Sequence, residues 1–152
     1  MSEPLDALQA ALVAEHAAVY GYGLLIPQLT GAARDNGLAG FDEHRNRRDR
    51  LRALIVALGA SPVEAAAAYR PSAPVVGAAA GVRFAADLER DVALAFGDLV
   101  AASTQDTRTF AAHALQELAV RQAGWEQAAP RFPGLAVDPT ATASPSPSPP
   151  RA

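Results

Sequence analysis

Four ionisable side chains of this chain occupy positions where apolar side chains are expected. Glu15 lies beside His16 in the apolar segment VAEHAAVYGYG, and His44, Glu89 and Glu117 each interrupt a further apolar pattern. A carboxylate is rarely buried unless it is paired with a cation or bound to a metal. Carboxylates and imidazoles are also side chains that ligate iron and other divalent metals. These residues therefore predict either a metal site or a buried ion-pair network.

The apolar pattern around these residues has the periodicity of α-helices. In four segments, inward positions recur at alternating spacings of three and four residues, which is a helical seam. The seams are Leu5, Leu8, Leu12, Glu15, Val19, Tyr22 and Ile26; Phe41, His44, Arg48, Leu51, Ile55 and Leu58; Val82, Ala85, Glu89, Val92, Phe96 and Leu99; and Phe110, His113, Glu117, Val120 and Gly124. The fourth segment also has a flanking stripe of Leu115, Leu118, Gln122 and Trp125. The sequence predicts four helices, each with ionisable groups turned inward.

The turns between these helices place the ionisable residues at one level. A Thr-Gly pair at 30–31 and a Ser-Thr pair at 103–104 are the turn signals. Glu15 and His44 lie fifteen and fourteen positions from residue 30, and Glu89 and Glu117 lie fifteen and thirteen positions from residue 104. In two antiparallel hairpins, all four side chains would therefore meet midway along the bundle.

Pro27 decides whether this register holds. Proline removes a helical hydrogen bond, so it is expected to kink or end the first helix. A short turn at residue 30 keeps His44 level with Glu15. A loop over residues 27–40, which contains an Asn-Gly pair, would move His44 out of that level.

Two stretches interrupt the helical pattern. The crossover at residues 59–77 holds three prolines, and Ser61, Pro62 and Glu64 form a capping-box start that predicts a short helix around 62–69. From about Pro133 the chain is dense in Pro, Ser and Thr and has no apolar periodicity. We therefore expect a bundle domain over residues 1–130 and a disordered tail over residues 131–152.

The composition limits the class of protein. The 152 residues are half hydrophobic, carry a net charge of −3 and include no cysteine. Such a chain forms one domain with its own core and has neither disulfides nor thiolate metal ligands. No signal peptide is apparent, and the apolar runs are interrupted before the ~20 residues of a membrane span. We expect a cytoplasmic protein without a membrane partner.

The one basic cluster is the segment RNRRDRLR at residues 45–52, which has five arginines in eight residues. Asp42, Glu43 and Asp49 interleave with these arginines, and Glu43 and Arg47 are spaced as a helical ion pair. Because the domain is acidic overall, this pattern indicates a solvated helix face with one or two inward arginines. We expect no nucleic-acid partner.

The first helix has a second apolar face. Val13, Ala17, Tyr20 and Leu24 project together, with small residues beside them. A helix that is apolar on nearly all sides must be covered on both. This face predicts a homodimer packed through helix one, since two-fold pairing is the commonest assembly. The alternative is that the crossover covers it, with Val63, Tyr69, Val75 and Val76 as the available apolar side chains.

The chain resembles ferritin-like four-helix bundles and, more narrowly, a small actinobacterial ferritin-like domain family of unknown function. The resemblance rests on AEHAAVYGYG in helix one, HRNRRDRL in helix two, DLE in helix three and AVRQAGW in helix four, with a long crossover between helices two and three. It covers about residues 5–129. The resemblance implies an all-α, up-down bundle.

The resemblance also implies a comparison with di-iron members of the superfamily, which use single Glu ligands on two helices and Glu-x-x-His on the other two. Glu15 and Glu89 match the single carboxylates. In helix two the sequence has Phe41 where Glu is needed, followed by His44. In helix four Glu117 is followed by Val120 where His is needed. Two of the six ligands are thus apolar, which disfavours a di-iron centre.

Arginines next to these positions suggest a replacement for the metal. Arg48 lies one turn from His44, and Arg121 lies one turn from Glu117. Guanidinium groups suit buried carboxylates because they bind both oxygens and stay charged. We expect a Glu/His/Arg network, no cofactor, and a non-catalytic structural or partner-binding domain. The alternative is an iron or other divalent metal bound by Glu15, His44, Glu89 and Glu117, with His113 as a further ligand, in a metal-binding protein or a metal-dependent oxidoreductase.

Overall fold

The computed structural model describes residues 3–127, which form four long helices. They are α1 (Glu3–Leu25), α2 (Gly31–Ala57), α3 (Ala78–Ala102) and α4 (Gln105–Glu126), with a 3-10 turn at Ile26–Gln28 after α1. Within residues 3–127 there is no β-strand. The predicted all-α four-helix bundle, with a long crossover between α2 and α3, is confirmed. The predicted tail over residues 131–152 lies outside the described residues.

Both predicted turns are present and both are short. Pro27 lies in the 3-10 turn directly after α1, where its missing N–H costs no helical hydrogen bond. Gly31 begins α2 with a φ of +54°, a left-handed conformation that glycine adopts without strain. α3 ends at Ala102 and α4 begins at Gln105. The short first turn keeps the register in which Glu15 and His44 lie at one level.

Apolar side chains form two buried clusters along the bundle. One cluster centres on Leu8, Leu12, Leu51, Ile55, Val92, Phe96, Leu99 and Leu118. The other centres on Tyr22, Leu25, Leu29, Ala85, Leu88 and Trp125. Along α2 and α3, the buried His44 and Glu89 lie between the residues of the two clusters. A polar layer therefore separates the two halves of the core.

The four helices do not pack equally. The extensive contacts are those of α1 with α2, α1 with α3, and α3 with α4. Between α2 and α4 an open cleft of about 440 Å³ remains. Its lining residues are Asn36, Glu43, Gln116, Glu117, Val120, Arg121 and Gly124. This cleft is the face of the bundle nearest to the polar layer.

The crossover, residues 58–77, contains no helix, so the predicted short helix around 62–69 is wrong. The side chain of Gln9 bonds this segment twice, donating to the Ser61 carbonyl at 2.8 Å and accepting from the Val63 amide at 2.9 Å. His16 Nε2 lies 3.1 Å from the Val63 carbonyl, which accepts its proton. The carbonyls of Ser61 and Val63 therefore accept hydrogen bonds from α1 instead of from the backbone of a helix over residues 62–69.

The capping box fails for a related reason. The Glu64 carboxylate pairs with Arg52 at 3.3 Å and does not reach back to the backbone of Ser61. Tertiary contacts of the crossover therefore outweigh its local helix-start signal.

The crossover also covers part of the second apolar face of α1. The ring of Tyr69 lies 5.5 Å from that of Tyr20, and Val63 and Val75 pack against the core clusters. Val13 and Leu24 remain 46% and 36% exposed. The face is thus shared between the crossover and the surface.

One stretch, Glu3–Gln28, is long and apolar enough to span a membrane by length and composition. This is weak evidence for a span, because the core helix of a bundle has the same character. Of the apolar window, 44% is buried inside the bundle, and Glu15 at its centre is fully buried.

Candidate functional site

His44 is the centre of the buried polar layer. Its Nδ1 lies 2.7 Å from Glu15 Oε2, and its Nε2 lies 3.2 Å from Glu89 Oε1. All three side chains are 0% exposed. The structure brings these three residues together from α1, α2 and α3, as expected from their similar distances to the two turns.

The two carboxylates determine the protonation of His44. Burial by itself lowers the pKa of this imidazole, but the charges and hydrogen bonds of Glu15 and Glu89 raise it more, so its pKa is above the ordinary value. An ionised carboxylate accepts and does not donate, so each ring nitrogen is placed to donate to one of them, while Nη2 of Arg47 also lies 3.0 Å from Nδ1. The raised pKa favours the imidazolium form of His44 between the two carboxylates.

Arg47 supplies the second buried cation. Its Nε donates to Glu15 Oε1 at 2.7 Å, and the residue is only 5% exposed. Glu15 thus accepts from His44 with one oxygen and from Arg47 with the other. On its outer side, Nη1 of Arg47 lies 3.4 Å from Glu117 and 3.8 Å from Glu43.

The expectation that Arg48 would join the network is wrong. Arg48 pairs with its exposed neighbour Asp49 at 2.7 Å instead. Position 48 is on the predicted seam of α2 and position 47 lies next to it, and both are about one turn after His44, so spacing alone does not separate them. α2 packs extensively against α1, which turns Arg47 toward Glu15 and leaves Arg48 at the edge.

Arg121 lies between the polar layer and the cleft. Its side chain is 11% exposed, forms an ion pair with Glu43, and has its Nε 3.8 Å from Glu89 Oε1. Its Nη1 also donates to Asn36 Oδ1 at 3.0 Å. Arg121 is therefore placed in the network, as the sequence predicted, but its main carboxylate partner is Glu43.

The inward position predicted for Glu117 is wrong. Its side chain is 61% exposed, and its single ion pair among residues 3–127 is the 3.4 Å contact with Arg47. The buried face of α4 consists of Ala111, Ala114, Leu118, Gln122 and Trp125, and the last three belong to the predicted flanking stripe. The larger apolar side chains lie on that stripe, so its burial removes more apolar surface from water. This rotation also leaves His113 and Val120 exposed.

Tyr22 and Trp125 complete the network. The Tyr22 hydroxyl donates to Glu89 Oε1 and accepts from Trp125 Nε1 at 3.1 Å. Burial and the Glu89 charge raise the pKa of Tyr22 far above its usual value, so the phenol keeps its proton. Gly40 makes room for the ring, because a Cβ at that position would lie 2.6 Å from Tyr22 Cε1.

The sequence did not lead us to predict four members of the network: Tyr22, Glu43, Arg47 and Trp125. Tyr22 was recognisable as a polar tip on the seam of α1, and Trp125 as part of the flanking stripe of α4. The Glu43–Arg47 spacing was visible too, but as a surface pair.

The charges of the network balance without a further ion. Glu15, Glu43 and Glu89 contribute three negative charges, and His44, Arg47 and Arg121 contribute three positive charges when all are ionised. Each buried member has an opposite charge in contact. Glu117 adds a mostly solvated carboxylate at the rim. The arrangement is thus a closed ion-pair network rather than a set of open ligands.

A family described as a domain of unknown function, DUF4439, matches residues 7–137. The chain belongs to the DUF4439 family. A solved structure of a conserved hypothetical protein, rv2844, from Mycobacterium tuberculosis is 35% identical, with a TM-score of 0.79 over 82% of this chain and 96% of that one. Among curated proteins, no match to the chain was found.

A second solved structure is similar to the fold of this DUF4439 domain. It is a dodecameric thioferritin, the bacterioferritin-related protein from Bacteroides fragilis, at 20% identity and a TM-score of 0.70 over 82% of each chain. The fold is therefore a ferritin-like bundle, as the sequence resemblance predicted.

The donor set of the DUF4439 domain does not fit a di-iron centre. Both nitrogens of His44 are engaged by carboxylates, and Arg47 takes the remaining oxygen of Glu15. Val120 is 74% exposed and apolar, so α4 supplies no histidine ligand there. Over residues 3–127, no group of three or more His, Asp or Glu side chains has a metal-holding arrangement. One donor atom is left over, because Glu89 Oε2 is buried without a hydrogen-bond partner in the part of the chain that the structure describes.

Proposed function

We propose that this domain is a non-catalytic ferritin-like module, structural or partner-binding, in which a buried ion-pair network replaces the metal centre. The observation that carries the proposal is the engagement of His44. Its two nitrogens contact Glu15 and Glu89, while Arg47 contacts the other oxygen of Glu15. The ring nitrogens of His44 and both oxygens of Glu15 thus already have partners within the chain, which supports the proposal.

The burial of the same residues supports a non-catalytic role. Glu15, His44 and Glu89 are 0% exposed, and each of their contacts is to another side chain of the chain. A general acid or base must come within hydrogen-bond reach of a substrate atom. Here those positions are taken by Tyr22 and Arg47. The network instead holds α1, α2 and α3 at one register.

The metal content of the purified protein tests this proposal. Protein from iron-supplemented cells, purified without chelator, is expected to contain well under one transition-metal ion per chain by elemental analysis. Glu89→Ala is the comparison variant, because it removes a candidate ligand. One or more ions per chain in the wild type, lost in Glu89→Ala, would overturn the proposal.

A second candidate function, metal binding, has one observation in its favour. Glu89 Oε2 is a buried carboxylate oxygen without a partner, and a buried unsatisfied group of this kind is a costly feature to retain. Loading the protein with Fe(II) would have to displace a proton from His44 before that nitrogen could bind. Titration with Fe(II) that releases protons and shifts the His44 ring signals in NMR would favour this candidate. Unchanged ring signals would favour the network.

The burial of α1 also bears on the cellular location of the protein. We propose a cytoplasmic protein, since burial of α1 in the bundle accounts for its apolar character without a membrane. Cell fractionation is expected to place the full chain in the soluble fraction. Recovery in the membrane fraction would contradict this.

The exposed part of the second face of α1 supports a homodimer. Val13 and Leu24 are 46% and 36% exposed, and their spacing places them on one side of α1, next to the part of the face where Tyr69 contacts Tyr20. A charge placed there would lie near its own copy across a two-fold axis, in a desolvated contact. Val13→Glu is therefore expected to convert a dimer into a folded monomer, measured by light scattering after gel filtration.

Val56→Glu is the matched control, because Val56 is 60% exposed on α2, away from this face. It is expected to leave the mass unchanged. A monomeric wild type at micromolar concentration would rule out the dimer while leaving the bundle intact.

A further inference from the structure

A second cavity lies on the opposite side of α1 from the polar layer. It has a volume of about 320 Å³, is partly open to solvent, and is bordered by α1, the crossover and α3. Three aromatic side chains line it, one from each element: Tyr20, Tyr69 and Phe84. We name it the crossover pocket. None of the residues of the buried network lines it.

The walls of the crossover pocket are held in place by contacts already present. Tyr69 lies against Tyr20 with ring centroids 5.5 Å apart, and its hydroxyl accepts a hydrogen bond from the Ala66 amide at 3.1 Å. The floor at Gly21 is close-packed, because a Cβ there would lie 2.5 Å from Leu88 Cδ1. Ligand sites are usually preformed in this way, with apolar walls and a few placed polar groups.

The polar groups of the pocket are of two kinds. Arg70, on the crossover, is exposed and has no carboxylate within ion-pair distance among residues 3–127. On the α3 side, Asp87 and Asp91 each bind Arg90 through Oδ1, at 2.7 and 3.2 Å. Each aspartate keeps a second oxygen, Oδ2, that can accept a hydrogen bond.

These groups define the ligand by its chemistry. An unpaired guanidinium binds an anionic group, preferably a phosphate or a carboxylate. Tyr20, Tyr69 and Phe84 are aromatic side chains against which a flat ring can pack, and the aspartate oxygens can accept from N–H donors on the ring edge. We propose that the crossover pocket binds a planar heteroaromatic anion that carries N–H donors, of the size and chemistry of a purine nucleoside monophosphate. This binding activity goes beyond the proposed structural role and does not depend on the network.

Three probes separate the contributions of the ligand's parts. Adenosine monophosphate carries the ring, the N–H donors and the phosphate; adenosine lacks the phosphate; ribose 5-phosphate lacks the ring. In amide NMR titrations of the full chain, adenosine monophosphate is expected to cause saturable shifts at residues 69, 70 and 72 and at residues 84–91. Adenosine is expected to bind about fivefold more weakly, the effect of losing one exposed ion pair, and ribose 5-phosphate about tenfold more weakly, since stacking is lost.

Two variants and a control assign these differences to the pocket. Arg70→Gln is expected to reduce the affinity for adenosine monophosphate to that for adenosine, and to leave adenosine binding unchanged. Tyr69→Leu is expected to weaken the binding of both adenosine monophosphate and adenosine. If Tyr69→Leu fails to fold, Arg70→Gln still tests the proposal. Arg34→Gln, an exposed arginine of α2 outside the pocket, is the control and is expected to change neither.

Each contrary result overturns the proposal. The absence of saturable shifts at millimolar adenosine monophosphate would show that the pocket takes no such ligand. Equal losses in Arg70→Gln and Arg34→Gln would show general electrostatic attraction to arginine. Equal affinity for adenosine and adenosine monophosphate would show that Arg70 does not bind the phosphate.

Discussion

Replacing Arg47 with Met is expected to destabilise the domain by about 3–5 kcal/mol, the cost of breaking a buried ion pair by removing one partner. Arg47 is 5% exposed and donates to Glu15 at 2.7 Å, while Glu15 is 0% exposed. Methionine fills much of the volume of the arginine stem but provides no donor. Glu15 would then keep a buried charge with His44 as its one remaining cation.

The neighbouring arginine provides the matched control. Arg48→Met removes the same charge from the next residue of the same helix, but Arg48 pairs only with the exposed Asp49. The expected loss is below about 0.5 kcal/mol, which is typical of surface substitutions. Free energies of unfolding from denaturant titration measure both variants. Similar losses for the two would show that Arg47 is not the buried partner of Glu15.

Replacing His44 with Gln is expected to give the second large effect, with a characteristic pH dependence. Gln keeps hydrogen-bonding capacity but cannot carry the charge that holds Glu15 and Glu89 together. At about pH 6, where His44 is protonated in both the folded and the unfolded chain, the loss is expected to be about 3–5 kcal/mol.

The sign of the pH dependence follows from the direction of the pKa shift. The pKa of His44 is raised in the folded state, because the two carboxylates outweigh the effect of burial. The stabilisation by the charged ring is therefore complete below the unfolded-state pKa of about 6.5. It is lost as the pH rises through the folded-state pKa, at up to about 1.4 kcal/mol per pH unit.

The measured quantity is the difference in unfolding free energy between the wild type and His44→Gln. We expect this difference to shrink as the pH rises above about 6.5. His113→Gln is the control, because His113 is exposed on α4 and belongs to no ion pair within residues 3–127. A difference that stays constant or grows with pH would contradict a protonated His44 between carboxylates.

The local sequence was sufficient to predict the bundle and the level of its polar layer. Three-and-four spacings select the residues that share a helix face, and this depends only on helix geometry. Pro27 and Gly31 end and begin helices for reasons of backbone chemistry, so the short first turn was predictable too. Together these made Glu15, His44 and Glu89 predictable as neighbours, although they are far apart in the chain.

The tertiary structure decided how each helix is rotated and what the crossover does. Position 47 rather than 48 faces Glu15 because α2 packs on α1 and leaves a cleft toward α4. α4 buries the stripe of Leu118 and Trp125, which takes Glu117 out to the rim. The crossover binds Gln9 in α1 instead of forming a helix. Periodicity determines which side chains share a face, but the direction in which that face turns depends on the total surface that all helices bury together.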